Sequence, residues 1–189
     1  CEVFAEAGYR GATMATIAAR AEVSTGNIYR YFADKDALFY AVLPDEFAAR
    51  FLRLVRRRVN DLAATSTLTA PDTEAKASAE ALLGFWVENR LAVITLLDRA
   101  HGSRHEGFAA RFVETLMRET VTTLEAGRGG AKLDRAQHLV LTQIFTNTVR
   151  TIVAILEAHT DEAETRRAFA GFWSHQLAGL AGFSKWVES

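Results

Sequence analysis

Apolar positions follow helical spacing through one segment after another of this 189-residue chain. A first short helix is expected over Glu2 to Ala7. A second places Ile17, Ala18 and Ala21 on one apolar face, with a small residue at its centre. That small centre suits two helices that cross steeply, because a bulky side chain there would hold them apart. Val23 is apolar inside the turn that follows, which predicts that it plugs the corner between the helices. Ser24 stands at an N-cap, its hydroxyl able to bond a free amide of the next helix. Ile28 and Phe32, four residues apart, then face the core. Asp34 caps a further helix, and Lys35 occupies its first turn.

Longer helices follow. Lys35 to about Leu62 reads as a connector interrupted by Pro44, which predicts a kink or break near Leu43. Ala64 to Thr73, rich in Thr, Ser and Ala and containing Pro71, reads as a loop. Ala79, Leu82, Leu83 and Trp86 mark the next helix, and Leu91 to about Ala100 another. His101–Gly102–Ser103–Arg104–His105–Glu106 is a polar break. Phe108, Phe112, Val113, Leu116, Met117 and Leu124 define a helix that Gly127–Arg128–Gly129–Gly130 ends. From Asp134 to Ala158 one stripe holds Leu141, Ile144, Phe145, Thr148, Ile152 and Ile155, and a second holds Gln143, Asn147, Thr151 and Ala154. From Asp161 to about Ser184 a core stripe of Phe169, Phe172, Trp173, Leu177 and Leu180 runs beside Gly171, Ser174, His175, Ala178 and Gly182. Each glycine inside a helix costs about 1 kcal/mol relative to alanine, so Gly171 and Gly179 predict the close approach of a partner helix. The pattern gives an all-α fold, with a three-helix head over residues 1–45 and a larger helical body over 46–189.

Composition narrows the function classes. The single cysteine, Cys1, rules out an internal disulfide framework and suits a reducing cytoplasm. No secretory signal is visible at the start, and no apolar run reads as long enough to span a bilayer. No Ser–His–Asp, Cys–His, paired-carboxylate or metal-ligand spacing stands out, which argues against an enzyme and against a cofactor. Gly102 and Ser103 break the register that would align His101, His105 and Glu106, so a loop is expected there rather than a metal site. The glycines at 127–130 precede no strand and so form no phosphate cradle. Arg50, Arg53, Arg56, Arg57 and Arg58 form a basic run, but Arg57 lies about 33 Å along a continuous helix from Lys35. A solvated face explains them better than a nucleic-acid contact.

The chemistry is concentrated near the start. With Ile28 and Phe32 turned inward, the outer face carries Thr25, Gly26, Asn27, Tyr29, Arg30 and Tyr31. A guanidinium, an amide, hydroxyls and phenol rings suit base edges and phosphate oxygens. The segment therefore reads as a helix-turn-helix whose second helix enters a DNA major groove. Lys35 opposes the dipole of its own helix, at a cost of a few tenths of a kcal/mol, and a phosphate contact would explain its presence.

Tyr9, Ala12, Thr13, Ile17, Ala18, Val23, Ser24, Gly26, Tyr29, Tyr31, Phe32, Lys35 and Leu38 resemble the N-terminal signature of the TetR family of bacterial regulators. The resemblance implies that Tyr29, Tyr31 and Lys35 grip phosphates and that Thr25, Asn27 and Arg30 read sequence. Thr13 would cap the helix before the recognition helix and touch the DNA backbone. It implies further that the last two helices form a four-helix bundle with a second subunit, placing Gly171, Ser174, His175, Ala178 and Gly182 at a homodimer interface. A two-fold dimer presents two recognition helices to a palindromic operator in double-stranded DNA. The body would enclose a small-molecule effector, with Phe85, Trp86, Asn89, Phe108, Phe112, Leu116, Phe145, Asn147, Thr148 and Trp173 as candidate walls. Twelve phenylalanines and three tryptophans favour a hydrophobic or aromatic effector. Arg150 or Asn89 would receive a carboxylate if either faces inward. The expected function is a repressor that the effector releases from its operator.

The sequence departs from the signature at Glu22, which stands where the turn usually carries glycine. If that residue is left-handed, the cost is about 1–2 kcal/mol. Residues 1–40 hold four basic side chains against five acidic ones, a weak balance for phosphate binding. Family members carry a basic segment ahead of the first helix, so an N-terminal arm is expected before Cys1. The alternative is a small-molecule sensor or helical adaptor without tight DNA binding.

Overall fold

A computed structural model describes residues 1–65 and 72–188. Three short helices, α1 (Glu2–Gly11), α2 (Met14–Arg20) and α3 (Thr25–Tyr29), build the head, and α4 (Lys35–Val42) leads out of it. The body comprises α5 (Asp45–Ala63), α6 (Thr73–Glu88), α7 (Arg90–Ile94), α8 (Phe108–Gly127), α9 (Arg135–Ala158) and α10 (Glu162–Glu188). A π-helical turn, Thr95–Arg99, continues α7. The described residues contain no strand, so the fold is all-α.

The head helices start where capping chemistry places them. Thr13 and Thr16 form a reciprocal capping box on α2, with the Thr13 hydroxyl accepting from the Thr16 amide at 3.0 Å. Ser24 Oγ accepts from the Asn27 amide at 3.2 Å to open α3. Asp34 Oδ1 accepts from the Ala37 amide at 2.8 Å to open α4. Between α2 and α3, Glu22 is left-handed at φ 55°, as the missing glycine predicts. The turn closes through the Val23 amide, which donates to the Ala18 carbonyl at 3.0 Å. That geometry swings the Val23 side chain outward, where it is 39% exposed, so it does not plug the corner. Ala21 is exposed too, and Met14, Ala18 and Ile28 supply the buried contacts instead. The first helix runs past Ala7 because the chain resumes helical bonding after Gly8, whose φ of 71° sets a kink inside α1. The kink turns Tyr9 into an aromatic cluster with Phe4 and Phe39.

Pro44 breaks the connector rather than bending it. Leu43 ends α4 with non-helical dihedrals, and Pro44 becomes the N-cap of α5, where its missing amide costs nothing. From there α5 belongs to the body and packs on α6 and α8. Phe51 is fully buried and meets Phe85, Trp86, Phe108 and Phe112 edge-on or tilted. Arg50, Arg53, Arg56 and Arg57 are exposed as a solvated face requires, but Arg58 turns inward. The helix expected from Leu91 changes character midway. The Thr95 hydroxyl donates to the Leu91 carbonyl at 2.7 Å, beside the Thr95 amide, which bonds the same carbonyl.

Of the loop expected over 64–73, positions 66–71 lie outside the described residues. Ala64 closes α5, and Asp72 caps α6 through the Ala75 amide at 2.9 Å. Gly129 and Gly130 are left-handed at φ 65° and 90° and end α8. Asp134 and Gln137 form a capping box on α9. At 24 residues α9 is long and apolar enough to cross a bilayer by length and composition, which corrects the sequence expectation. Its buried stripe of Leu141, Phe145, Val149, Ile152, Val153 and Leu156 packs within the body.

Candidate nucleic-acid interface and internal cavity

The recognition face is built by subtraction. Ile28 is buried and Phe32 half-buried, so Gly26, Asn27, Tyr29, Arg30 and Tyr31 are left exposed around α3 and the turn after it, with Thr25 half-buried. Tyr29 is 53% and Tyr31 74% exposed, and neither ring meets another aromatic ring or cation among the described residues. A Cβ added at Gly26 would meet nothing within 4 Å, so packing inside the chain does not require glycine there. Thr13 is exposed, but its hydroxyl is already engaged in the capping box.

The head's cations differ sharply in what holds them. Arg20 bridges to Glu2 at 3.2 Å and to Glu6 at 2.7 Å. Its guanidinium holds the Glu6 carboxyl below the usual carboxylate range. The side chain of Arg10 lies against Gly102 of the body. Lys35 Nζ donates to the carbonyls of Tyr9 at 2.7 Å and Ala12 at 3.0 Å, and sits 4.4 Å from the centroid of the Tyr9 ring. The end of α1 therefore explains why a lysine opens α4, without a phosphate. The guanidiniums of Arg10 and Arg30 have no hydrogen bond or ion pair among the described residues, and of the two only Arg30 stands at the end of α3.

In the body, a cavity of about 100 Å³ lies between α5, α6, α8, α9 and α10. Of the ten residues expected to wall an effector site, Trp86, Phe112, Leu116, Phe145, Thr148 and Trp173 line it. The other four lie elsewhere. Phe85 packs on Phe47 and Phe51, and Phe108 on Phe51. Asn89 caps the end of α6, its side-chain amide donating to the Phe85 carbonyl at 2.9 Å, and Asn147 is exposed on α9. Neither Asn89 nor Arg150 reaches this cavity. Its one charged wall residue is Arg58, whose Nη1 donates to the Ala75 carbonyl at 3.0 Å and whose burial pushes its pKa down. Gln176 Nε2 donates to Thr148 Oγ1 at 3.0 Å across the α9–α10 wall. The indole N–H of Trp86 is buried with no acceptor among the described residues. Leaving such a donor unsatisfied costs about 1–3 kcal/mol.

Residues 1–42 match the family described as bacterial regulatory proteins, tetR family. The HTH-type transcriptional regulator BetI of Burkholderia ambifaria (strain MC40-6) is 33% identical over 132 residues, covering 65% of this chain and 68% of its own. The proteins of that name from Burkholderia mallei (strain NCTC 10229) and Burkholderia pseudomallei (strain K96243) are 34% identical over 134 residues, with the same coverage. The chain belongs to the TetR family. No solved structure gives a significant match.

As a TetR-family transcriptional regulator, the chain carries a DNA-binding helix-turn-helix in α2 and α3. The relatives are regulators by name, not enzymes. The five residues expected at a subunit interface, Gly171, Ser174, His175, Ala178 and Gly182, all lie exposed along α10. Added Cβ atoms at Gly171, Gly179 and Gly182 would meet nothing within 4 Å. On α9, Gln143, Asn147 and Ala154 are exposed and Thr151 half-buried, beside Leu139 at 60% and Val140 at 40% exposure.

Two residues of evident importance were missed, although their spacing held the signal. Arg58 follows Phe51 and Val55 and precedes Leu62 at helical intervals, which puts it on the inward stripe of α5. His105 stands three and seven residues before Phe108 and Phe112, in register with the buried face of α8. It is 2% exposed, and its Nε2–H donates to the Leu43 carbonyl at 2.9 Å.

Proposed function

We propose that this TetR-family regulator acts as a homodimeric, cytoplasmic repressor that binds an inverted-repeat operator and is released by a small molecule in the body cavity. Residues 1–45 form the DNA-binding unit and 46–189 the effector-binding and dimerisation unit. Arg30 and Asn27 read bases with Thr25 at their side, Tyr29 and Tyr31 contact phosphates, and the backbone approaches closely at Gly26. Lys35 and Thr13 support this surface by fixing α1, α2 and α4. The observation that carries the reading is the exposed set on α3, in which the Arg30 side chain has no hydrogen-bond or ion-pair partner among the described residues. Dimerisation through the exposed faces of α9 and α10 sets two such helices one turn of DNA apart.

A second reading has one observation in its favour. With Arg20 paired to Glu2 and Glu6 and Lys35 bound to carbonyls, Arg30 and Arg10 are the head cations left for phosphate attraction, and Arg10 lies against Gly102 of the body. That would suit a sensor or adaptor without tight DNA binding. Selection from a random duplex pool separates the two. Enrichment of an inverted repeat, with affinity that falls steeply with salt, supports the repressor. No enrichment from folded, dimeric protein supports the sensor.

A further inference from the structure

The chemistry of the body cavity limits what it can hold. Arg58 is the only charged side chain among its wall residues, and no acidic residue lines either this cavity or the adjoining one of about 220 Å³. Asp61 acts on the charge of Arg58 but lies 3.5 Å from Arg57 Nε, and no carboxylate comes within 4.0 Å of Arg58 among the described residues. Of the five N–H donors of that guanidinium, one is committed, to the Ala75 carbonyl. Trp86, 2% exposed, has an indole N–H without an acceptor among the described residues, but it lies further along α6 than Ala75, where Arg58 is held. Beyond Thr120, Thr148 and Gln176, the other described wall residues are apolar. The two cavities share Val59, Leu62, Thr120 and Leu180, so the space is elongated and continues from the Trp86 end towards Leu124 and Phe183.

Resting on the reading of this cavity as the effector site, we infer that it takes a monoanionic amphiphile, a carboxylate on an unbranched apolar tail, with the remaining donors of Arg58 receiving the carboxylate. A cation there would add like charge in a poorly solvated space. A purely apolar ligand would leave the remaining donors of Arg58 unpaired. Arg58 thus takes the part that the sequence offered to Arg150 or Asn89.

The test compares decanoate, decanol and decylamine by titration calorimetry on the full chain, without DNA. Decanoate binds at least about tenfold more tightly than decanol, the yield expected of a charge-assisted contact, and decylamine binds weakest. Arg58→Gln removes that preference while decanol affinity stays the same. Arg58→Lys keeps a cation with fewer donors and lowers decanoate affinity about three- to tenfold while decanol affinity stays the same, which carries the test if Arg58→Gln does not fold. Equal binding of decanoate and decanol overturns the anion and leaves the effector reading standing. Tightest binding by decylamine, or no binding by any of the three, overturns the ligand class. Decanoate that binds with the stated preference but does not change operator affinity supports the ligand class and overturns the effector reading.

Discussion

Gly26 and Lys35 show how a residue's neighbours decide which property its mutation changes. A methyl group at Gly26 meets open space, so Gly26→Ala raises helix stability by up to about 1 kcal/mol while obstructing the approach of a DNA backbone. The expected result is an unchanged or higher melting temperature with weaker operator binding; unchanged binding would remove Gly26 from the contact surface. Arg30→Ala leaves stability alone, because the guanidinium has no partner among the described residues, and costs about 1–3 kcal/mol in operator affinity measured by titration of labelled duplex. Lys35→Met behaves the other way. It leaves the Tyr9 and Ala12 carbonyls without their charged donor and lowers stability by about 1–3 kcal/mol, read in denaturant unfolding. Residues whose roles are set within three or four positions were legible in the sequence: the caps Thr13, Ser24 and Asp34, and left-handed Glu22. Lys35 and Val23 were not, because the carbonyls that hold the one and the turn that exposes the other come from the tertiary arrangement.

Helices were read from the sequence more reliably than the faces they bury. The spans of α8 and α9 follow from apolar spacing, terminal glycines and the Asp134 cap, but apolar spacing does not record the π-helical turn after α7. Six of ten cavity candidates line the space because aromatic and small polar residues share inward stripes on α6, α8, α9 and α10. Phe85 and Phe108 went astray because inward residues on the same helices are divided between the cavity and the Phe51 cluster, and sequence spacing does not separate the two. Gly171 carries the test at this scale. Its surroundings within the chain are open, so Gly171→Leu gains about 1 kcal/mol of helix propensity in the monomer. If a partner helix packs there, the same side chain obstructs it. Sedimentation should then show dissociation to monomers while far-UV circular dichroism is unchanged; a dimer of undiminished affinity would exclude this face of α10 from the interface.

The head meets the body where α1 packs on α7 and the π-helical turn, and where consecutive body residues grip α4; on the proposed effector reading, the second is the route by which a signal from the cavity reaches the head. The Arg104 amide donates to Tyr40 Oη at 2.6 Å, and its guanidinium lies 4.1 Å from the centroid of the Tyr40 ring. His105 stacks beside Phe39 and Tyr40 and holds the carbonyl of Leu43, the residue that ends α4 before Pro44. The same loop is anchored to the cavity wall, since His105 leads within three residues into α8, which contributes Phe112, Leu116 and Thr120. A ligand that displaces α8 therefore moves the carbonyl clamp on α4, and the Pro44 break allows α4 to turn without bending α5. His105→Leu keeps the bulk and removes the donor, leaving the Leu43 carbonyl without it at a cost of about 1–3 kcal/mol in stability. Its more telling effect is on coupling, defined as the ratio of operator affinities without and with saturating effector. That ratio should fall several-fold in His105→Leu, with effector affinity for the DNA-free protein within about twofold of the parent. A ratio that survives the substitution would place the coupling in the contact of α1 with the π-helical turn instead, the other surface the head shares with the body.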